Sequence, residues 1–248
     1  MTNLSVNVNK IAWLRNARGG HTPNILELSE LIIDCGVSGI TVHPRPDLRH
    51  ITPEDVYTLR ELTKRKKVEF NIEGNPYAES NKHYPGFQEI IQIAKPDQCT
   101  LVPDSLEQIT SDHGWDFINR ETSEDIDLVN SLKENSHRVS FFVDPIPEQL
   151  EKAKDTGTDR IEFYTGPYAE DPGLNSIDPF IRCYDLARNL NLGVNAGHDL
   201  DLHNLTFFLE NVPADEVSIG QAHISDSLIM GIEKTVKQYL SLIHISEP

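Results

Sequence analysis

Eight short runs of β-branched and apolar residues recur along the chain, at 4–8, 39–43, 68–72, 98–102, 138–143, 160–164, 192–195 and 216–219. Between them apolar positions return at helical spacing, as at Leu28, Leu31, Ile32 and Cys35, at Phe87, Ile90, Ile91 and Ala94, and at Phe180, Cys183, Tyr184 and Ala187. Each such set forms one stripe, fit to cover a sheet. Thr52-Pro53 with Asp55 predicts a capped helix start and Asp178-Pro179 predicts another, while Gly36 and Pro96 fall where helices should end. A final helix is expected over 226–240, and 241–248 is read as a tail outside the fold, a non-native remnant in character. Strand and helix therefore alternate, which implies a parallel sheet. Eight units in 248 residues predict a (β/α)8 barrel with additional helices, 1–240 being a single catalytic domain; an open doubly wound sheet is the alternative.

In such a barrel the reacting groups sit at the C-terminal ends of the strands, so the side chains that follow each run carry the functional information. Asn7, Asn9 and Lys10 follow the first run. His43, Arg45 and His50 follow the second, Glu73 the third, and the segment from Pro103 to Thr110 the fourth. Glu162 lies in the sixth run, the seventh leads into Asn195-Ala196-Gly197-His198, and the eighth into Gly220-Gln221. Taken alone, His43 reads equally as a satisfied core histidine, Glu73 as a loop carboxylate and Glu162 as a salt-bridge partner. Their shared position on one rim points to proton transfer near neutral pH. Gly197 and Gly220 would let the backbone approach a ligand, and loops after strands seven and eight are common phosphate seats.

Composition narrows the partners. With 39 acidic against 22 basic side chains the net charge is −17, which argues against nucleic acid, whose binding needs clustered Lys and Arg. A recessed site with a few Arg, His and backbone N–H groups still suits a small phosphorylated molecule. Cys35, Cys99 and Cys183 are odd in number and far apart, so they predict packing rather than disulfides or a metal centre. His198 and His203 lack a third ligand at metal spacing, and neither GxGxxG nor GxxxxGK[ST] is present, so no metal or nucleotide cofactor is expected. No run approaches the length of a membrane span, and a cytoplasmic protein is expected.

Several blocks together resemble the pyridoxine 5'-phosphate synthase family: Asn7-Val8-Asn9-Lys10-Ile11-Ala12, Arg15-Asn16-Ala17-Arg18-Gly19-Gly20, Val42-His43-Pro44-Arg45-Pro46-Asp47 with Arg49-His50, Leu101-Val102-Pro103, Asn195-Ala196-Gly197-His198 and Ser218-Ile219-Gly220. The resemblance runs from about residue 4 to 240. It implies condensation of 1-deoxyxylulose 5-phosphate with 3-amino-2-oxopropyl phosphate, without a cofactor, by a barrel assembled as a homo-octamer of dimers. By position it implies acid–base roles for His43, Glu73 and His198 and transition-state stabilisation by Glu162. Asn7, Arg18, Asp199, Gly220 and Gln221 would contact the amino-oxopropyl phosphate. Asn9, Lys10, Arg45, His50 and Thr110 would contact the deoxyxylulose phosphate.

The chain departs from the commonest family pattern where Asn9-Lys10 replace Asp-His, Asp199 replaces Gly, and Gln221 replaces His. A neutral amide donates to phosphate but carries no charge, which predicts weaker holding at that seat. Lys10 leaves open a barrel lyase working through a lysine Schiff base. A phosphate-binding barrel isomerase and a non-catalytic barrel that binds phosphorylated metabolites are the other readings. The stretch 102–115 has few helix signals and suits a lid.

Overall fold

The structure, a computed structural model, describes residues 2–245. Strands form at all eight expected runs: β1 (Asn3–Asn7), β2 (Gly39–Val42), β3 (Glu69–Gly74), β4 (Gln98–Leu101), β5 (Arg138–Val143), β6 (Arg160–Phe163), β7 (Gly193–Ala196) and β8 (Glu216–Ile219). All pair in parallel with their sequence neighbours, and β8 pairs with β1, closing a (β/α)8 barrel. The helices are α1 (Asn9–Asn16), α2 (Ile25–Asp34), α3 (Pro53–Lys66), α4 (Phe87–Ala94), α5 (Ser123–Lys133), α6 (Pro147–Asp155), α7 (Gly166–Glu170), α8 (Leu174–Asn189), α9 (Leu205–Asn211), α10 (Gln221–Met230) and α11 (Ile232–Ile245). None among the described residues is long and apolar enough to cross a membrane.

The main core lies between sheet and helices. Val6, Ile40, Ile72, Leu101, Phe141, Phe163 and Val217 are buried in it together with Ile32, Leu59, Ile90, Phe180 and Phe208 from the helices. Burying each such side chain contributes about 1.5–3 kcal/mol. Successive strand residues point to opposite faces, so the polar alternates share the other face, inside the barrel. There Ser5 Oγ meets Thr41 Oγ1 at 2.7 Å, Thr100 Oγ1 donates to Asn71 Oδ1 at 3.1 Å, and Arg138 Nε donates to Gln98 Oε1 at 3.2 Å. Arg160 Nη1 donates to Asn195 Oδ1 at 2.8 Å, and Asn195 Nδ2 to Glu216 Oε1 at 3.4 Å.

Burial pushes the Glu216 carboxyl up to about 8, with the nearby Glu69 charge adding to the shift and Arg160 opposing it. The folded chain therefore keeps a proton that the unfolded chain releases near 4.5, so this contribution to stability is full below about 4.5 and is lost as pH rises through about 8. Glu216→Gln is uncharged at every pH, and its melting temperature should fall less than that of the wild type between about pH 5 and pH 8.5. Thermal melts across that range test this; equal slopes would place the alkaline loss in another group.

Most helix boundaries match the pattern. Thr52 Oγ1 accepts from the Asp55 N–H at 3.2 Å while the Thr52 N–H donates to Asp55 Oδ2 at 2.8 Å, a reciprocal cap that starts α3. Two expectations are corrected. Asp178-Pro179 does not open a helix: α8 begins five residues earlier, at Leu174, and Pro179 lies inside it. The Gly173 N–H donates to Ser176 Oγ, and the added turn buries Ile177 beside Phe180, which carries the helix past the missing proline N–H. The final helix is two, α10 and α11, broken at Gly231, whose φ of +82° is a left-handed conformation that favours glycine. Helix α11 runs past Leu240 to Ile245 and buries Ile243; residues 246–248 lie outside the described residues. Cys99 and Cys183 are buried and Cys35 half-buried, all unpaired.

Candidate active site

The barrel's C-terminal rim gathers most of the expected residues. Glu73 is the fifth residue of β3 and pairs with Thr100 of β4; the Asn7 side chain, from the end of β1, donates to Glu73 Oε2 at 3.3 Å. His43, just beyond β2, places Nδ1 3.8 Å from Glu73 Oε2, and its backbone N–H donates to Asn9 Oδ1 at 2.9 Å. Its Nε2 lies 3.8 Å from Asp104 Oδ2. Arg45 Nη1 donates to the same Asp104 oxygen at 2.7 Å, and Nη2 to the carbonyls of Ser105 and Gln108 at 2.6 and 3.1 Å. The His50 ring lies 6.2 Å from that of His43, and its Nδ1 accepts the Ile51 N–H at 3.0 Å, which leaves the proton on Nε2.

On the opposite wall His198 follows β7. Its Nδ1 bonds Asp199 Oδ2 at 3.0 Å and its Nε2 bonds Thr110 Oγ1 at 3.1 Å. Because a carboxylate accepts, Nδ1 carries a proton in its bond to Asp199. Tyr164 and Phe142 flank the imidazole at 5.3 and 6.2 Å between centroids. Glu162 pairs in register with Phe142 and Asn195, is buried, and leaves Oε2 without a hydrogen-bond partner.

Burial sets the protonation states. It raises the Glu73 carboxyl well above 4.5, and the charges of Glu162, Asp104 and Glu216 push the same way. It raises Glu162 to about 7, an effect that His198 partly offsets. Burial, then the charges of Arg45 and Arg49, lower His43 to about 3; burial, then His43 and Arg45, lower His50 to about 3. Near neutral pH the unliganded rim therefore holds carboxyls able to keep protons beside His43 and His50 rings that are unprotonated and weakly basic.

Not every expected residue joins this cluster. Arg18 is exposed after α1 and takes part in none of these hydrogen bonds. The Lys10 ammonium lies 5.6 Å over the ring of the exposed Trp13, which gives no support to a buried Schiff-base amine. Gln221 is exposed as the first residue of α10, with Gly220 before it. Asp199 has φ +62°, a left-handed conformation in which glycine is easily accommodated and which Asp tolerates; its carboxylate, held low by the His198 bond, orients that ring. At Gly197 a Cβ would lie 2.2 Å from Ser218 O, so the close approach of β8 by itself requires glycine there.

Sequence reasoning missed Asp104, which is buried at the centre of the cluster and is also bonded by Ser111 Oγ at 2.9 Å. Its signal was present: an acidic residue two places beyond an apolar run, at the same rim as the others. The expected lid divides in two. Residues 105–107 and 109–110 are exposed, whereas Trp115 is buried and its Nε1 donates to Leu101 O at 2.7 Å.

Comparison with known proteins assigns the chain to a lineage. The family described as pyridoxal phosphate biosynthesis protein PdxJ matches residues 4–245. The chain belongs to that family. Among PdxJ-type relatives, a protein of Christiangramia forsetii named pyridoxine 5'-phosphate synthase is 49% identical over 98% of this chain and all of its own length. Relatives of the same name from Xanthomonas campestris pv. campestris and Flavobacterium johnsoniae are 49% and 48% identical over 98% and 97% of the chain, and 96% and 98% of their own. The PdxJ barrel also resembles more distant solved structures. A mutant tryptophan synthase alpha-subunit from Pyrococcus furiosus aligns with TM-score 0.65 at 13% identity, covering 97% of this chain and all of that one. A thiamine phosphate pyrophosphorylase from Pyrococcus furiosus aligns with TM-score 0.62 at 13% identity, covering 99% and 97%. These two likenesses speak to fold alone.

Proposed function

We propose that this chain is a pyridoxine 5'-phosphate synthase that condenses 1-deoxyxylulose 5-phosphate with 3-amino-2-oxopropyl phosphate, releasing inorganic phosphate and water. The observation that carries the reading is near-half identity over the whole length to relatives of that name. The strand-end cluster supports it independently, because ring formation from two carbonyl compounds is a series of proton transfers.

In the mechanism we favour, the amine of one substrate attacks the ketone of the other and an imine links them. Dehydration, phosphate loss and ring closure follow, with His43, Glu73 and His198 moving protons and Glu162 stabilising charge. Arg45 and His50 suit the ketose phosphate, with Asn9, Lys10 and Thr110 nearby in sequence or contact. Gly220, Gln221 and Asp199 mark the amino ketone side, with Asn7 and Arg18. A phosphate dianion at Arg45 would offset the positive charge that helps to hold His43 neutral, so substrate binding itself would make His43 more basic. Holding both substrates in one mouth supplies the further advantage of proximity.

On the same resemblance the barrel over 1–240 acts as one catalytic domain in a cytoplasmic homo-octamer of dimers. Exposed Trp13, Leu14, Leu228 and Ile229 on α1 and α10 offer apolar surface for such contacts. Incubating the purified protein with both phosphates should yield pyridoxine 5'-phosphate, read by its mass. Binding of either substrate with no product would turn the reading toward a non-catalytic phosphometabolite barrel.

A further inference from the structure

The segment that follows β4 has no regular secondary structure over 105–110, and its apolar side chains do not hold it in place. Leu106 is 58% exposed and Ile109 89%, so both face solvent. Their carbonyls turn the other way, onto one arginine. Arg49 Nη1 donates to Gln108 O at 3.0 Å and to Ile109 O at 3.1 Å, and Nη2 donates to Leu106 O at 3.1 Å. Asp47 fixes the other edge of the same guanidinium: Nε donates to Oδ2 at 2.7 Å, Nη2 lies 2.6 Å from that oxygen, and the Arg49 backbone N–H donates to Oδ1 at 3.2 Å. All three side-chain nitrogens are engaged within the protein, so Arg49 is spent on the segment rather than kept for a substrate phosphate.

The end of that segment reaches the opposite wall of the mouth. Thr110 follows Ile109 directly, and its Oγ1 bonds His198 Nε2 at 3.1 Å. One residue spans at most about 3.6 Å, so where the 106–109 backbone is pinned decides whether Thr110 meets the imidazole. Arg45 shares the pinning through Ser105 O and Gln108 O at 2.6 and 3.1 Å. On the synthase reading a phosphate takes up Arg45, and a guanidinium drawn to a dianion gives up neutral carbonyls. Arg49 is then left to hold the segment.

We propose that Arg49 is a positioning residue for the condensation: its planar fork clasps the 106–109 backbone and so keeps Thr110 on His198 while the substrates react. It touches neither substrate. The assignment rests on the synthase reading above. A guanidinium suits the task because it presents several donors in one fixed plane, where an ammonium is a point charge on a flexible stem.

Arg49→Met keeps the length of the side chain and removes the fork. With both substrates saturating, kcat should fall about ten- to a hundredfold, the scale of a small misplacement of reacting groups. The melting temperature should stay within about 2 °C of the wild type, because the residue lies outside the core. Hydrogen exchange in a peptide covering 105–112 should quicken while peptides of the barrel strands stay unchanged. Arg49→Lys keeps the charge that helps to lower His43 but not the fork, and should be impaired nearly as much. In a Thr110→Val background Arg49→Met should cost less than about threefold in kcat, since the contact it secures is already gone. Full turnover by Arg49→Lys would trace the effect to charge and overturn the assignment. An equal loss from Arg49→Met with and without Thr110 would show another route and overturn it too. An active wild type whose kcat or 105–112 exchange is matched by Arg49→Met overturns this role alone. A wild type that yields no product overturns the synthase reading and this role with it.

Discussion

Glu73→Gln should lower kcat by about 10²–10⁴-fold, the range that one general acid–base group contributes, and leave the melting temperature near that of the wild type. Glutamine keeps the shape of the side chain and can still accept the Asn7 amide, which lies 3.3 Å from Glu73 Oε2. It can neither take up nor release a proton. The burial and neighbouring carboxylates that raise the Glu73 carboxyl are costly to keep around an ionisable group, and a neutral amide is relieved of that cost. Activity and stability should therefore separate, as expected where a group is retained for chemistry. Steady-state kinetics with both substrates, set beside thermal melts, decide the point. Turnover close to wild type would remove Glu73 from the acid–base set and leave His43 and His198 to divide the transfers.

Gly197→Ala should lower stability by about 3 kcal/mol, at the upper end of the cost of overpacking, and the melting temperature by about 6–12 °C for a chain of this size. The added carbon would meet Ser218 O at 2.2 Å, Ser218 C at 3.0 Å and Ser218 N at 3.1 Å, all backbone atoms of the adjoining strand. A flexible side chain could swing away; a paired strand can yield only by parting β8 from β7 at the mouth of the barrel. Because His198 is the next residue, its bonds to Thr110 and Asp199 should be disturbed as well, so kcat should fall with stability. Circular-dichroism melts and initial rates on the same preparation check both. A melting temperature within about 1 °C of the wild type, well under the shift expected from one kcal/mol, would mean that the strand ends move apart freely.

The polar interior shows how a legible signal can be read for only half of its content. Glu69-Asn71-Glu73, Arg138-Ser140-Phe142 and Arg160-Glu162 occupy alternate positions of their strands, and that period of two is written plainly in the sequence. Reading the strands as apolar runs found the face packed on the helices and passed over the face turned inward. Parallel strands in barrels are ordinarily apolar on both faces, so the departure is itself a sign of an interior that carries charge. Asp104 was missed for a related reason: it follows β4 by three residues, inside a stretch assigned to a lid, and only folding carries it to His43 and Arg45.

Local rules determined the element order, the reciprocal cap at Thr52 and the rim on which the chemistry collects, because hydrophobic period and capping act within a few residues. They located neither the onset of α8 nor the break at Gly231 correctly, since burial of Ile177 and the packing of α11 outweigh a proline or a run of helix formers. The tertiary structure alone decided which polar groups meet across the barrel. His43 stands between Glu73 and Asp104, and Thr110 reaches the His198 ring. Those relations depend on closure of the sheet, which brings together residues dozens of positions apart and removes the water that would otherwise level their charges.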